Sequence, residues 1–392
     1  MKRTLYLIPM AVAAFFPAAC RHNSGIDASK FTVEIVAGIR HIANKSPQLK
    51  DAPPVTLQLI GKIGELEGRE DKDILYDPVD AARLPNGDIL VLEGNGSAVK
   101  RFNKDHHFLS SFGRKGAGPG DFASPYLLRL DGERKKLYVA DGRRISRLSP
   151  EGSFIGSFMP RSGPGGSSIS DQYQTSGLAL LSGSRVILPS NAAAWDGSGG
   201  PRFLLSIYNE AGEIIRSFGN AERYDDLAMQ LNANVVYFST DGDDNTCVSF
   251  AFQNRIDKYS SDGTLVYSSS RHLPYEIKTE MRLLLFRSGS VERKFPWPSV
   301  TSVSKGCFVD RDNRLWVLTF LKQPDESGRF DDEKDMARCY EFEVFDADGI
   351  LQFVVPCPNV GISRFSIYDD RMYIIDSKRE SCVYEFKIAG KI

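Results

Sequence analysis

The stretch DPVDAARLPNGDILVLEGNGSAVKRFNKDHHFLSSF, residues 77–112, contains four short runs in which apolar and polar residues alternate. The runs are VDAARL, DILVLE, AVKRF and FLSSF, and the short polar segments PNGD, GNGS and NKDH connect them. Alternation with a period of two beside Gly-containing turns is the pattern of β-hairpins. The stretch therefore predicts four antiparallel strands that follow one another through tight turns.

The same unit recurs along the chain. Four further copies follow, and polar turns separate their third and fourth strands, as in SPEG (149–152), NEAG (209–212), SSDG (260–263) and DADG (346–349). A repeating four-stranded meander is the building unit of a β-propeller. A sixth copy, FSIYD, MYIID and CVYEFKI, lacks its fourth strand. The sequence thus predicts an all-β protein, a six-bladed β-propeller of four-stranded antiparallel blades.

The missing strand has a candidate at the other end of the chain. Residues Val55–Ile63 (VTLQLIGKI) have the composition of a strand and precede the first blade. Pairing of this segment with Cys382–Ile388 would complete the sixth blade, hide an open sheet edge and close the ring. We expect the propeller to span residues 55–392 and to be closed by this N-terminal strand.

One motif carries a family resemblance. The run FLSSFGRKGAGPGDFASP (108–125), followed by Leu137–Asp141 (LYVAD), resembles NHL-type propeller repeats. Its G-x-G-P-G-x-F core is especially similar to six-bladed propeller lipoproteins of Bacteroidetes. The glycines suit a tight turn between an outer strand and the next inner strand, and we expect Phe122 to fill the interface between two blades. A phosphate-binding loop is not favoured, because no GK[ST] follows.

The N-terminus has the features of an export signal. Lys2 and Arg3 precede an apolar stretch, and small residues then lead into Cys20. This order predicts a signal peptide over residues 1–19, and it resembles a bacterial lipoprotein signal in which Cys20 receives the lipid. Residues 20–54 are then expected to be a lipid-anchored tether with at most a short helix. The resemblance implies an exported protein in the cell envelope, at the outer membrane and facing the periplasm.

Charge and cysteine content limit the other classes. The 49 basic and 50 acidic residues give a net charge of −1, which argues against a nucleic-acid partner. Of the cysteines after Cys20, Cys339 and Cys357 stand at equal distances from the DADG turn, so a regular hairpin would place them opposite each other and permit a disulfide. A single bulge in either strand would remove that alignment.

Loop length differs between the two faces of the predicted ring. Turns between strands one and two and between strands three and four stay near four residues and define a short-turn face. Connections between strands two and three and between blades define a long-loop face, where binding sites usually lie. Two of its segments, Asn220–Leu231 and Glu276–Arg287, have the spacing of helices. The long connections are Met159–Ser176, Ser190–Arg202, Asn220–Ala233, Arg271–Pro298 and Phe320–Arg338.

The long connections contain aromatic and cationic side chains that suit a saccharide, a peptide or a protein ligand. The alternative for each aromatic residue is that it packs its loop onto a blade. The candidate ligand-binding residues are Tyr173, Trp195, Arg202, Arg282, Trp297, Lys322, Phe330 and Arg338.

Features of an enzyme are sparse. Too few of the five histidines lie within the predicted blades to form a metal centre near the axis, and no nucleophile elbow or Walker motif occurs. Glu93, Asp141 and Asp376 end the second strands of three blades and could bind calcium, although capping of a local turn is the favoured role. We therefore expect a non-catalytic binding or scaffold module without a cofactor. A metal-dependent hydrolase or lyase acting on a saccharide or peptide-like substrate is the alternative.

Overall fold

The structure is a computed structural model of the 392-residue chain. It describes residues 26–50, 53–64, 74–133, 135–142, 144–161, 177–190, 202–288, 291–325, 330 and 336–390. Within these ranges it contains 28 strands and one α-helix. The described strands that precede the first blade are β1 (Phe31–Val36), β2 (Ile39–Asn44) and β3 (Val55–Ile63).

The first three blades each contain four consecutive antiparallel strands. Blade 1 is formed by β4 (Pro78–Arg83), β5 (Ile89–Glu93), β6 (Ala98–Phe102) and β7 (Phe108–Phe112). Blade 2 is formed by β8 (Pro125–Leu130), β9 (Leu137–Asp141), β10 (Arg144–Leu148) and β11 (Phe154–Phe158). Blade 3 is formed by β12 (Ala179–Leu181), β13 (Arg185–Pro189), β14 (Phe203–Tyr208) and β15 (Ile214–Asn220).

The remaining blades follow the same plan, with a hairpin inserted between the fourth and the fifth. Blade 4 is formed by β16 (Val236–Thr240), β17 (Thr246–Phe250), β18 (Ile256–Tyr259) and β19 (Leu265–Arg271), and the inserted hairpin by β20 (Thr279–Ser288) and β21 (Val291–Val300). Blade 5 is formed by β22 (Ser304–Val309), β23 (Leu315–Phe320), β24 (Tyr340–Phe345) and β25 (Leu351–Pro356). Blade 6 contains β26 (Arg364–Tyr368), β27 (Arg371–Asp376) and β28 (Cys382–Gly390). The six-bladed, all-β prediction is confirmed.

The N-terminal strand β3 completes blade 6. It pairs antiparallel with β28, from Val383 opposite Ile63 to Gly390 opposite Val55. A second contact joins blade 6 to blade 1, since Nε2 of the buried His106 lies 2.6 Å from Oε2 of Glu385. The predicted closure of the ring is confirmed.

Apolar residues of neighbouring blades form the core between the sheets. Phe122 is fully buried among residues of blades 1 and 2, as the sequence predicts. Gly113, at a φ of +83°, lies so close that an added Cβ would come within 2.4 Å of the Phe122 ring. The glycine-rich run is therefore a packing element of the blade interface.

Residues 31–44 differ from the expected tether. They form an antiparallel hairpin whose second strand, β2, pairs in parallel with β19 and extends blade 4 to six strands. Its last residue, Asn44, is buried, donates to the carbonyl oxygen of Gly349 and accepts from the backbone N–H of Leu351. The expectation of at most a short helix is wrong here, because FTVEIV and IRHIAN find a sheet edge to pair with.

The two predicted loop helices have different outcomes. Helix α1 (Leu227–Ala233) overlaps the end of the first segment. It is capped by Asp226, whose carboxylate accepts from the N–H of Met229 at 2.9 Å. Most of the second segment, from Thr279 onward, is strand β20, which pairs along its length with β21. The helix prediction is wrong there because apolar residues at helical spacing also fit a strand when a partner strand follows. No helix in the described residues is long and apolar enough to cross a membrane.

The cysteines in the described part of the chain form no disulfide. Cys339 and Cys357 are buried in the same apolar cluster. The register between β24 and β25 shifts between Val344 and Phe345, so the residues that the sequence places opposite each other are offset by one position. This bulge explains why the alignment expected from a regular hairpin is not reached.

Candidate functional site

A groove of about 680 Å³ lies on the long-loop face, between blades 4 and 5. One side is the β20–β21 hairpin, and the others are Asn232 of α1, residues 275–278 after β19, and residues 323–325 after β23. All these segments join blades or connect second to third strands. The groove is therefore built by the connections that the sequence identifies as long.

The hairpin presents two of the predicted ligand-binding residues to the groove. Arg282 and Trp297 are direct partners in the antiparallel register, so their side chains lie on the same face. The indole of Trp297 is 44% exposed, and the guanidinium of Arg282 makes a 2.6 Å ion pair with Glu280. An exposed indole beside a guanidinium can combine stacking with charge-assisted hydrogen bonds.

The rest of the groove is held by hydrogen bonds between loops. The Tyr275 hydroxyl lies 2.9 Å from the carbonyl oxygen of Phe320 and 3.1 Å from that of Ser302, and burial raises the pKa of Tyr275 to about 12. The Gln323 side chain accepts from the N–H of Ser302 and donates to its carbonyl, both at 2.8 Å. These bonds fix the wall opposite Trp297 before any ligand arrives.

A buried ionic cluster supports this wall. The guanidinium of Arg271, 3% exposed, lies 2.5 Å from the Glu343 carboxylate and donates to the Ser304 and Thr319 hydroxyls. Burial, and then the charge of Glu343, raise the pKa of the neighbouring Glu341 to about 7. Three ionisable groups therefore share one partly desolvated site.

The stability of the fold should depend on pH through Glu341. Because its folded pKa of about 7 exceeds the ordinary 4.5, the native state holds a proton that the unfolded state loses, so stability falls as pH rises from 4.5 through 7. Glu341→Gln should remove this penalty. Relative to the parent, the variant should gain about 2 kcal/mol more free energy of unfolding at pH 8 than at pH 4.5. Urea unfolding of parent and variant at both pH values measures it; parallel pH curves would contradict it.

The other predicted ligand-binding residues have different positions. Phe330 packs its ring against Phe320 and Tyr340, so the packing alternative holds for it. Lys322 is exposed just after β23, Arg338 is exposed in the short 3-10 turn before β24, and Arg202 is half-buried before β14. None of these three lines the groove. Tyr173 and Trp195 lie outside the described residues.

Of the three strand-end carboxylates, only Asp376 caps a local turn; Glu93 and Asp141 accept from the segment that leads into their own blade. Glu93 accepts from the N–H of Tyr76 at 2.9 Å, Asp141 from that of Ala123 at 2.9 Å, and Asp376 from that of Arg379 at 2.8 Å. Each belongs to a different blade. Among the described residues, no three His, Cys, Asp or Glu side chains are placed to hold one metal ion.

The groove can thus bind by stacking and hydrogen bonding. Arg282 and Trp297 are predictable from the sequence because both are conspicuous residue types in a long connection. Tyr275, Gln323 and Asn232, which come from three separate connections, were not predicted. Only the length of those connections signalled them.

No family model matches the chain, and no curated protein is similar to it. Among solved structures it is similar to a "Putative exported protein" from Bacteroides fragilis, with a TM-score of 0.54 and 14% identity over 89% of this chain and 99% of that one. It is similar to a member of the DUF4221 family from Bacteroides vulgatus, with a TM-score of 0.53 and 12% identity over 86% and 99%. A virginiamycin B lyase from Staphylococcus aureus has a TM-score of 0.43 and 9% identity over 82% and 83%. At these identities the first two comparisons show a shared propeller fold and nothing beyond it.

Proposed function

We propose that this protein is a non-catalytic binding module of the bacterial envelope, and that its ligand, a saccharide or a peptide, occupies the groove on the long-loop face. The observation that carries the proposal is the pairing of an exposed Trp297 with Arg282 on one wall of a groove about 680 Å³ in volume. Ligand sites are typically pockets of this size in which a small number of polar groups point towards one another.

The composition of the groove supports a mixed ligand. Its two aromatic rings, Tyr275 and Trp297, provide faces for stacking, and hydroxyl, amide and charged groups lie between them. The hydroxyl of Tyr275 is occupied by backbone carbonyls, so its ring acts as a fixed wall. Contact with a ligand would then remove the exposed apolar surface of the Trp297 side chain from water.

Replacing the groove residues should weaken binding without unfolding the protein. We expect Trp297→Ala and Arg282→Ala each to reduce affinity by about 1–2 kcal/mol, because buried Trp and Arg anchors commonly carry that much binding free energy. The ligand is first found by screening the soluble mature chain against oligosaccharides and a random peptide library. Calorimetry with the best binder then measures the change.

Leu283 provides a matched control. It lies next to Arg282 on the same strand but on the opposite face of the hairpin, and it is 69% exposed. Leu283→Ala should leave affinity unchanged within about 0.5 kcal/mol, as is usual for a surface site outside the contact. Equal losses in the Leu283 and Trp297 variants would show that the hairpin affects binding only indirectly.

The proposed location is the outer membrane, facing the periplasm, through a lipid on Cys20. The support is the order of basic, apolar and small residues before Cys20, and the exported character ascribed to the Bacteroides fragilis protein. The mass of protein extracted from membranes should show a diacyl or triacyl adduct on a chain that begins at Cys20. Cys20→Ser should release the protein into the soluble fraction; unchanged membrane association would contradict the anchor.

A further inference from the structure

A second cavity opens on the short-turn face, at the mouth of the central channel. This funnel has a volume of about 620 Å³. Its rim is formed by the turns between the first and second strands of blades 2, 3 and 4, and its floor includes Arg129, Phe308 and Tyr368. These three residues lie on the innermost strands of blades 2, 5 and 6, so the floor is on the propeller axis.

Arg129 lines this funnel and uses only part of its hydrogen-bonding capacity on the described residues. Its Nη1 lies 2.5 Å from Oδ2 of Asp80, a fully buried carboxylate that also accepts from the N–H of Leu128. Nη1 also donates to the Leu128 carbonyl at 2.7 Å. Among the described residues, Nη1 is the only guanidinium nitrogen of Arg129 that donates. The side chain keeps 15% exposure, so Nε and Nη2 remain available in the funnel.

A second guanidinium lies within electrostatic reach of Arg129. Burial lowers the pKa of Arg364, at the start of β26; the charge of Asp80 opposes this effect, and the charge of Arg129 adds to it. Arg129 and Arg364 therefore repel each other, and an anion bound at the funnel floor would weaken that repulsion.

The acidic residues on the rim already have partners. Most of them have cations of their own, and Asp131 accepts from the backbone of its own turn. Lys136, also on the rim, donates to the Ser184 hydroxyl at 3.1 Å and makes no ion pair among the described residues. The pairs are Asp241 with Lys258, Asp244 with Arg185, and Glu133 with Lys135.

Two aromatic rings stand beside the guanidinium. The Phe308 and Tyr368 rings meet edge to face at 5.8 Å, and the guanidinium carbon of Arg129 lies 5.9 Å from the Phe308 ring centre. A ligand that reaches Arg129 therefore contacts apolar ring surface as well as N–H groups. This environment favours an anion with a planar apolar body over a compact, strongly hydrated one.

We infer that the funnel is a binding site for a small organic carboxylate. The carboxylate contacts Nε and Nη2 of Arg129, and the apolar body lies against Phe308 and Tyr368. The site is on the face opposite the groove, so it does not depend on the function proposed above.

The test uses the soluble mature chain and sodium benzoate, acetate and phosphate at constant ionic strength, with calorimetry as the readout. Benzoate should bind saturably and about tenfold more tightly than acetate, which lacks the planar apolar body. Arg129→Lys keeps a cation opposite Asp80 but removes the planar fork, and should weaken benzoate binding about tenfold. Lys322→Ala, which removes an exposed cation on the other face and outside the groove, should bind benzoate like the parent.

Three results would overturn the inference. The first is the absence of saturable benzoate binding, and the second is binding of phosphate without binding of benzoate. The third is equal affinity for benzoate in the parent and in Arg129→Lys. If Arg129→Lys is poorly folded by circular dichroism, the double variant Asp80→Asn with Arg129→Met replaces it, because it removes both members of the ion pair together. Benzoate binding that survives in the double variant would equally contradict the site.

Discussion

A chain that lacks residues 21–64 is expected not to fold. The deletion removes β3, which pairs with β28 along its whole length, and it exposes the edge of blade 6. Val55 and Ile63 are buried, and each contributes about 1.5–3 kcal/mol through removal of apolar surface from water. Together with the lost strand pairing, this loss approaches the whole stability of a domain, about 5–15 kcal/mol. Circular dichroism and thermal unfolding measure it.

Deletion of residues 21–50 is the matched control. It removes the β1–β2 hairpin but leaves β3, and blade 4 keeps the four strands β16–β19. We therefore expect a lower melting temperature with a cooperative transition preserved. If the longer deletion melts like the intact mature chain, closure of the ring by β3 does not stabilise the fold.

The second large effect is expected at Arg271. Arg271→Met would leave the Glu343 carboxylate, itself 3% exposed, without its cation in the interior. Removing one partner of a buried ion pair commonly costs about 3–5 kcal/mol. The hydroxyls of Ser304 and Thr319 would also lose a donor. Urea unfolding at pH 7 measures the free energy of unfolding.

The double variant Arg271→Met with Glu343→Leu tests whether the cost of the single variant comes from the unpaired carboxylate of Glu343. Because it leaves no charge at either position, it should be more stable than the single variant by about 2 kcal/mol or more. A single variant within about 1 kcal/mol of the parent would indicate an exposed, solvent-screened pair instead.

The repeat itself was predictable because each blade is locally encoded. Alternating runs and Gly turns specify the hairpins. The sixth repeat has only three strands and Val55–Ile63 is left over before the first, which together predict the closure of the ring. Two hairpins, β1–β2 and β20–β21, were not predicted, for different reasons. Residues 31–44 have no neighbouring repeat to signal them, and residues 279–288 also match a helical period until their partner strand is considered.

The candidate site was predictable only in part. Arg282 and Trp297 are conspicuous in the sequence, whereas the wall opposite them depends on contacts between Tyr275, Gln323 and Ser302 from separate connections. Loop length alone did not indicate the funnel on the short-turn face. The funnel on that face arises where first strands converge on the axis, which no single segment of sequence reveals.

The central claim is that a saccharide or peptide ligand binds on the long-loop face. Hydrogen exchange of the mature chain, with and without the best binder from the screen, tests it most directly. We predict slower exchange in Thr279–Val300 and in residues 323–325, where the groove lies. Protection confined to the short turns at residues 131–136, 182–184 and 241–244 would contradict it.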